Sequence, residues 1–377
     1  MQEQASFVGK PALKKLRIAQ VAPLYESVPP KLYGGTERVI SYLTEELVRR
    51  GHEVTLCASG DSSTNARLVP GFERALRLNH LEHRGPIYQL PMLSWVYQRA
   101  RQFDLIHSHV DFWALPYAAL VATPTLSTLH ARLDEPGATT IYRRYRHAPL
   151  VSVSDAQRRP LADLNWMGTA YHGLPRQLLQ YSARGGDYLA FLGRIAPEKR
   201  PDLAIEIARR SGFPLKLAAK VDNSNREYFE AVIKPRLSPP DIELIGEIGD
   251  REKSAFLGGA RALLFPIDWP EPFGLVIAEA LACGTPVIAR PCGSVPELIR
   301  HGVTGWIAGT LEELTAAVAA VERLDRARCR REFEQRFSVE TMADSYERLY
   351  HKAMTGEMAR PPGLGSVLGP GALVAPK

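Results

Sequence analysis

Two α/β units, each a parallel sheet covered by helices on both faces, are the fold this sequence predicts. Three observations carry that expectation. The chain has 377 residues, too many for one ordinary core. Buried-type apolar runs alternate with helical patterns twice, with an interruption between the two series. That interruption, Leu174 to Gly186, is polar and holds Pro175 and the pair Gly185-Gly186, which reads as a linker.

The first series opens with a strand from Leu16 to Ala22. A helix follows from Gly35 to Arg50, because Val39, Ile40, Leu43, Leu47 and Val48 recur at helical spacing. Gly51 stops it. His52 to Ala58 is a second strand, Pro86 to Gln102 a helix and Asp104 to His107 a strand. Pro124 to Leu129 and Leu150 to Val153 are further strands, and Ser154 leads into a short helix. After the linker the rhythm restarts. Tyr188 to Leu192, Leu215 to Ala219, Ile242 to Ile245, Ala262 to Phe265 and Pro286 to Ala289 read as strands. Pro201 to Arg210, Arg226 to Arg236, Leu311 to Leu324 and Ala327 to Arg336 read as helices. A last helix runs from Ser338 to about Met354. The boundaries expected are a flexible N-terminus at 1–15, a first domain at 16–176, a second at 187–337, a closing helix at 338–354 and a disordered Pro/Gly-rich tail at 355–377.

Composition narrows the function classes. Hydrophobic residues make up 45% and charged residues 23%, an ordinary globular balance. Cys57, Cys283, Cys292 and Cys329 fall at no ligand spacing, so neither a disulfide framework nor a cysteine metal site is expected. Met1 to Lys15 lacks the apolar stretch of a signal peptide, and the apolar run Trp113 to Leu126 is short and broken by Pro116 and Pro124. The expectation is a cytoplasmic protein. A net charge of +6 suits an anionic substrate, a membrane surface or a nucleic acid without choosing among them. Tyr142 to His147 and the group Trp95, Tyr97, Arg99, Arg101 are basic and aromatic runs that suit an anionic membrane or a plain solvated face equally.

Ligands of doubly wound sheets sit outside the carboxyl ends of the strands, so the loops there hold the candidates. In Glu271-Pro-Phe273-Gly274-Leu275-Val-Ile-Ala-Glu279, two carboxylates bracket seven residues. Glu279 stands alone in a helix otherwise apolar from Leu275 to Ala282, where a carboxylate needs a partner. Gly193-Arg194 to Lys199-Arg200 leaves the first strand of the second unit. Its fork and point charge beside a helix N-terminus suit a diphosphate, although alone it reads as a solvated loop. Tyr33-Gly34-Gly35-Thr36 permits close backbone approach, or is a plain turn with Thr36 as helix cap. It is not GxGxxG, so a nicotinamide fingerprint is absent. His107-Ser108-His109 invites a metal reading, but strand alternation is taken to set its residues apart, and no third ligand accompanies them. His130 ends a strand and is better placed to meet a ligand. Pro291 to Glu297 offers Gly293 for backbone access, with Glu297 fixing the loop or serving as surface charge.

The run Leu263 to Gly305, with Phe191-Leu-Gly-Arg194…Pro197-Glu-Lys199, Tyr33-Gly-Gly-Thr36, Asp104-Leu-Ile-His-Ser-His109 and Thr128-Leu-His130, resembles the motifs of family 4 glycosyltransferases. The likeness spans about residues 16 to 353. These are retaining, nucleotide-sugar-dependent enzymes of GT-B fold, two Rossmann-like domains facing across a cleft. The resemblance implies a hexosyltransferase of polysaccharide synthesis, with an acceptor-binding first domain, a donor-binding second domain and a closing helix that crosses back to the first. It implies that Glu279 binds donor ribose and that Glu271 faces the donor sugar. Backbone N–H groups of Phe273, Gly274 and Leu275 would hold sugar and diphosphate, and Arg194 and Lys199 would neutralise the leaving group. Gly35 would let its loop approach, and His130 would sit against the sugar. No metal or cofactor is expected. The partners implied are a nucleotide sugar and a saccharide or lipid-linked acceptor, with peripheral contact to an anionic membrane and no nucleic acid. Lys220-Val221-Asp222 replaces a glycine usual after the second strand of the donor domain. Alternatives are an epimerase or phosphorylase on the same fold, or a non-catalytic nucleotide-sugar-binding protein.

Overall fold

A computed structural model describes residues 15–31 and 34–355. The expectations for most of the N-terminal segment, for Tyr33 and for most of the tail lie outside the described residues.

The first unit is a seven-stranded sheet of β1 (Arg17–Val21), β2 (Glu53–Ser59), β3 (Arg67–Phe72), β4 (Leu105–Ser108), β5 (Thr125–Thr128), β6 (Leu150–Ser152) and β7 (Trp166–Thr169). Its order is β3-β2-β1-β4-β5-β6-β7, and every pair is parallel. The second unit holds β8 (Leu189–Arg194), β9 (Leu215–Lys220), β10 (Ile242–Gly246), β11 (Ala262–Phe265), β12 (Val287–Ala289) and β13 (Gly305–Ile307). Its order β10-β9-β8-β11-β12-β13 is the same winding, again all parallel. Each sheet therefore reverses direction once, between β1 and β4 and between β8 and β11. At such switch points the loops diverge and leave a crevice.

Three strands, β3, β7 and β13, go beyond the sequence expectations. All are sheet edges: β3 contains Pro70 and Gly71, and none of its residues is buried. The segment expected as one helix from Arg226 to Arg236 is three short turns of differing pitch. The helix expected over Pro86 to Gln102 ends at Gln98. Thr36 is not a cap, since the helix Gly35–Arg49 begins before it and Gly34 stands at the cap position.

Helix Val339–Thr355 lies on the first sheet rather than the second. Its Met342, Tyr346 and Tyr350 join Val39, Leu43 and Leu47 of the Gly35 helix in one buried cluster with Ile18 and Leu126. Arg50 pairs with Asp344 and Glu347, and His52 with Glu347, around the cluster's rim. Leu174 and Ser338 form a parallel bridge, so the outgoing and returning chain segments run side by side between the units. Arg326 ties the linker to the second unit: its guanidinium donates to the carbonyls of Ser182, Gly258 and Ala260 and to Thr285 Oγ1.

Candidate active site

The crevice between the two switch points holds two adjoining cavities, of about 240 and 600 Å³. They share Gly34, Gly35, Arg194, Lys199, Glu271, Gly274 and Leu275. Most of the carboxylate, cation and glycine candidates named from sequence are thus gathered in one place.

Local chain geometry explains the gathering. Gly274 adopts φ +83°, which a side chain would strain, and starts the helix Leu275–Ala282. The first-turn N–H groups of a helix have no partners within it, and here they face the smaller cavity through Gly274, Leu275 and Val276. Arg194 ends β8, and Lys199 follows on one short turn ahead of the helix Pro201–Ser211. Lys199 Nζ pairs with Glu271 Oε2 and rests over the Trp269 ring at 4.5 Å. Trp269 Nε1–H donates to the same Glu271 oxygen at 2.8 Å. Arg194 reaches Glu198 at 3.3 Å and Asp222 at 3.8 Å. Asp222 also takes Lys220 at 2.7 Å, so the residues that replace the expected glycine form a charged wall beside the smaller cavity.

Glu279 is only 3% exposed and is not alone: Lys253 Nζ, from the helix Asp250–Gly258, donates to Glu279 Oε1 at 2.6 Å. Lys253 also lies 3.4 Å from Asp250, which pairs with Arg38 of the first unit. The buried acid therefore has a protein partner that its own helix did not reveal, and the charge chain crosses between the units. Glu297 crosses too. Its carboxylate takes the N–H groups of Asp155 and Ala156 at 2.8 and 2.6 Å, capping a short helix of the first unit rather than serving as surface charge.

Gly293 does more than give backbone access. It has φ +56°, and an added Cβ would stand 2.4 Å from Glu271 N and O. Ser294 N–H donates to Glu271 O at 3.0 Å, and Ser294 Oγ–H to Phe273 O at 2.6 Å. This loop clamps the Glu271 segment. Gly293→Ala should lower stability by at least the ~1–2 kcal/mol of a left-handed side chain, read as an earlier midpoint in urea; an unchanged midpoint would refute the clamp.

The histidine expectation needs correcting. His107 and His109 are not set apart: residues i and i+2 share one face of a strand, and their rings are 4.0 Å apart. Both are engaged within the protein. His107 meets Tyr350 Oη and Thr128 Oγ1 at 2.8 Å each, and His109 meets Gln20 Oε1 at 2.8 Å and His130 Nε2 at 2.9 Å. Among the described residues no group of three His, Cys, Asp or Glu is placed to hold a metal. Gln20 directs its amide N–H to Tyr350 Oη, leaving its oxygen to accept from His109 Nε2–H. Neutral His109 then accepts from His130 Nε2–H. His130 Nδ1 is left as a bare acceptor, and it has no partner in the protein. His172, not singled out from sequence, stacks on His130 with ring centroids 5.3 Å apart and meets Phe273 edge-on.

Burial holds all four histidines neutral: it pushes His130 down to about 3, and His107, His109 and His172 well below the usual value. Burial raises Glu37 to about 7 and Asp111 to about 6, and raises Glu26. Acidification from about pH 6.5 to 5 protonates the four histidines in the unfolded chain but not in the fold, which destabilises. The three acids take up protons earlier in the fold and oppose this. Four outweigh three, so unfolding free energy should fall with pH across that window, at under ~1.4 kcal/mol per pH unit for each uncompensated histidine. Urea titrations at pH 7, 6 and 5 measure it; rising stability on acidification would contradict the neutral cluster.

Among the described residues no helix is long and apolar enough to cross a membrane. In the two basic runs Tyr142 and Tyr97 are core residues, at 1% and 6% exposure. Arg143, Arg144 and Arg146 remain on the surface, and Arg99 lies over Trp95.

Sequence comparison agrees with this geometry. Residues 182–338 match the family description "Glycosyl transferases group 1", and residues 33–203 match "Glycosyltransferase Family 4". D-inositol 3-phosphate glycosyltransferase of Mycolicibacterium smegmatis is 26% identical, over 87% of this chain and 88% of its own. Sucrose-phosphate synthase from Thermosynechococcus elongatus is similar in structure, with a TM-score of 0.75 at 17% identity, over 91% of this chain and 100% of that one. Anabaena HepE in complex with UDP and glucose has a TM-score of 0.68 at 18% identity, over 89% and 100% of the two chains. The two family matches together run from residue 33 to 338, and the chain belongs to the family 4 glycosyltransferases, with the GT-B fold.

Proposed function

We propose that this glycosyltransferase moves a hexosyl unit, with retention of configuration, from a nucleotide-diphosphate sugar to a hydroxyl of a saccharide or lipid-linked saccharide. The observation that carries this reading is the convergence of Arg194, Lys199 and the Leu275 helix N-terminus on the boundary between the two cavities. Breaking the anomeric C–O bond puts charge on the departing diphosphate and oxocarbenium character on the sugar. Preorganised cations and N–H groups stabilise the first without reorganisation. The acceptor oxygen then bonds to the anomeric carbon on the face the diphosphate leaves, and its proton passes to the departing phosphate oxygen. Glu279 grips the ribose from the smaller cavity. Glu271 faces the sugar hydroxyls, and His130 accepts from one of them through Nδ1. Phe273, Gly274 and Leu275 supply backbone N–H groups, and Gly35 lets the opposite loop come close.

The charge supplied by side chains makes a metal unnecessary in this scheme, so chelation by EDTA should leave turnover unchanged. The surface arginines at 143, 144 and 146 suit peripheral contact with an anionic membrane, which vesicle sedimentation with and without anionic lipid tests. The structural relative seen with UDP and glucose makes a uridine nucleotide the first donor to try. Thermal shift against UDP, GDP, ADP and their sugars should show stabilisation by one nucleotide class, about 2.7 kcal/mol at a hundredfold excess over Kd. Stabilisation by none of them sinks the donor assignment.

A further inference from the structure

A third hollow, of about 250 Å³, opens beside the first switch point, where Val110 and Asp111 follow β4. It shares Tyr25, Thr36, Glu37 and His130 with the larger cavity, so it continues the crevice on the side away from the nucleotide pocket. Its polar groups are not those of a phosphate site. Gln89 is 5% exposed; its Oε1 takes Leu24 N–H at 3.2 Å, while its Nε2 donors have no partner in the protein. His130, whose Nδ1 is taken by the donor sugar in the proposed reaction, borders both this hollow and the larger cavity. The Asp111 carboxylate takes His130 N–H at 3.2 Å and keeps acceptor capacity, and Glu37 adds a second carboxyl. Trp113 and Tyr25 supply aromatic surface. Among the described residues lining this hollow there is no lysine or arginine. Arg77 and Arg132 line the larger cavity, where they pair with Glu26 and Asp134.

An orphaned donor at Gln89 Nε2 and the spare acceptor capacity of Asp111 in one hollow match a group that can both give and take a hydrogen bond. A hydroxyl does both. A phosphate monoester only accepts at neutral pH, carries charge, and would meet Asp111 with no counter-cation. The volume lies just under the ~300–1,000 Å³ of pockets for drug-sized ligands, which suits one ring. On the reading that the chain is a glycosyltransferase, we propose that this hollow seats the acceptor as an uncharged, hydroxyl-bearing ring, a sugar or cyclitol residue without phosphate. Gln89 donates to the ring, and Asp111 and Glu37 accept from it. A lipid-linked acceptor fits only through an uncharged terminal sugar.

The test uses the full chain and the nucleotide sugar that stabilises it in the thermal-shift screen. Nucleotide release is measured with glucose, mannose and myo-inositol, and in parallel with glucose 6-phosphate, mannose 6-phosphate and inositol 3-phosphate. Calorimetry on the nucleotide-bound protein reads binding of both sets, so an acceptor of wrong linkage still reports its class. At least tenfold preference for the uncharged set, in kcat/KM or in affinity, is the expected result. Equal or better use of the phosphate esters overturns the proposal, as does binding of neither set. Gln89→Lys places a cation in the hollow and should move the ratio at least tenfold toward the phosphate esters; an unmoved ratio overturns the assignment of Gln89. If no nucleotide stabilises the fold, it is the donor reading that fails, not the acceptor class.

Discussion

Lys199→Ala should lower kcat/KM by about 10²–10³-fold, the usual loss when one preorganised charge-stabilising donor is removed from a water-poor site. Lys199 is 15% exposed, so its charge acts through less water than a surface lysine's would. Its pairing with Glu271 holds it in place before any donor arrives, and the Trp269 face restricts its swing. The fold should survive. Glu271 keeps its bond from Trp269 and remains 13% exposed toward the cleft, so the loss in stability should be only about 1 kcal/mol. Lys199→Arg restores charge but not the point geometry, and should recover part of the rate. Steady-state kinetics beside a thermal melt separate these effects; full activity in the alanine variant would remove Lys199 from the mechanism. The same geometry bears on Glu271. Both Lys199 and Trp269 donate to its Oε2, which draws charge from the carboxylate and leaves Oε1 to accept from a hydroxyl. A gripping carboxylate fits that arrangement better than a nucleophile, and Glu271→Gln should then lose far less than the near-complete activity a covalent role would cost.

The sequence carried the winding of both sheets because central parallel strands are continuous apolar runs. β8 and β11 announce themselves in that way, whereas β1 is interrupted by Gln20 and β5 is mostly Thr and Ser. The edges do not. β3 has no buried residue and a proline within it, and β13 is three residues long, so neither presents a run to recognise. The site divides along a similar line. Glu271, Glu279, Arg194 and Lys199 stand out because each breaks a local pattern or follows a buried strand. Lys253 and Arg38 break no pattern. Each is a charged residue on a helix with polar neighbours, which from sequence is a solvated face. Only tertiary packing makes them partners, within the second unit for Lys253 and Glu279 and between the two units for Arg38 and Asp250. His172 was invisible for a related reason: nothing in Tyr171-His172-Gly173 marks a strand exit, since β7 itself is an unmarked edge. The histidines of β4 were legible and misjudged. A period of two puts His107 and His109 on one face, where their ring nitrogens meet Tyr350 and Thr128, and Gln20 and His130, respectively.

Glu279 should prove to have two separable roles. Glu279→Ala leaves Lys253, 12% exposed, without its closest counter-charge. Removing one member of a buried pair costs about 3–5 kcal/mol when the other is stranded. Here Asp250 at 3.4 Å still accompanies Lys253, so the loss should fall nearer 2–3 kcal/mol. If ribose binding were absent, that would be the whole effect. The double variant Lys253→Met/Glu279→Leu decides the matter. An apolar pair of similar volume often matches or exceeds a buried ion pair in stability, so the double variant should unfold near the parent. A leucine cannot accept from ribose hydroxyls, however, so the donor KM should stay raised at least tenfold in both variants, while an acceptor that binds the opposite unit should keep its KM. Recovery of stability without recovery of donor KM separates the acid's packing role from its ligand role. If the double variant regained both, Glu279 would be a partner for Lys253 and nothing more, and the grip on the nucleotide would have to come from the Leu275 helix N-terminus and the charged wall of Arg194, Lys220 and Asp222.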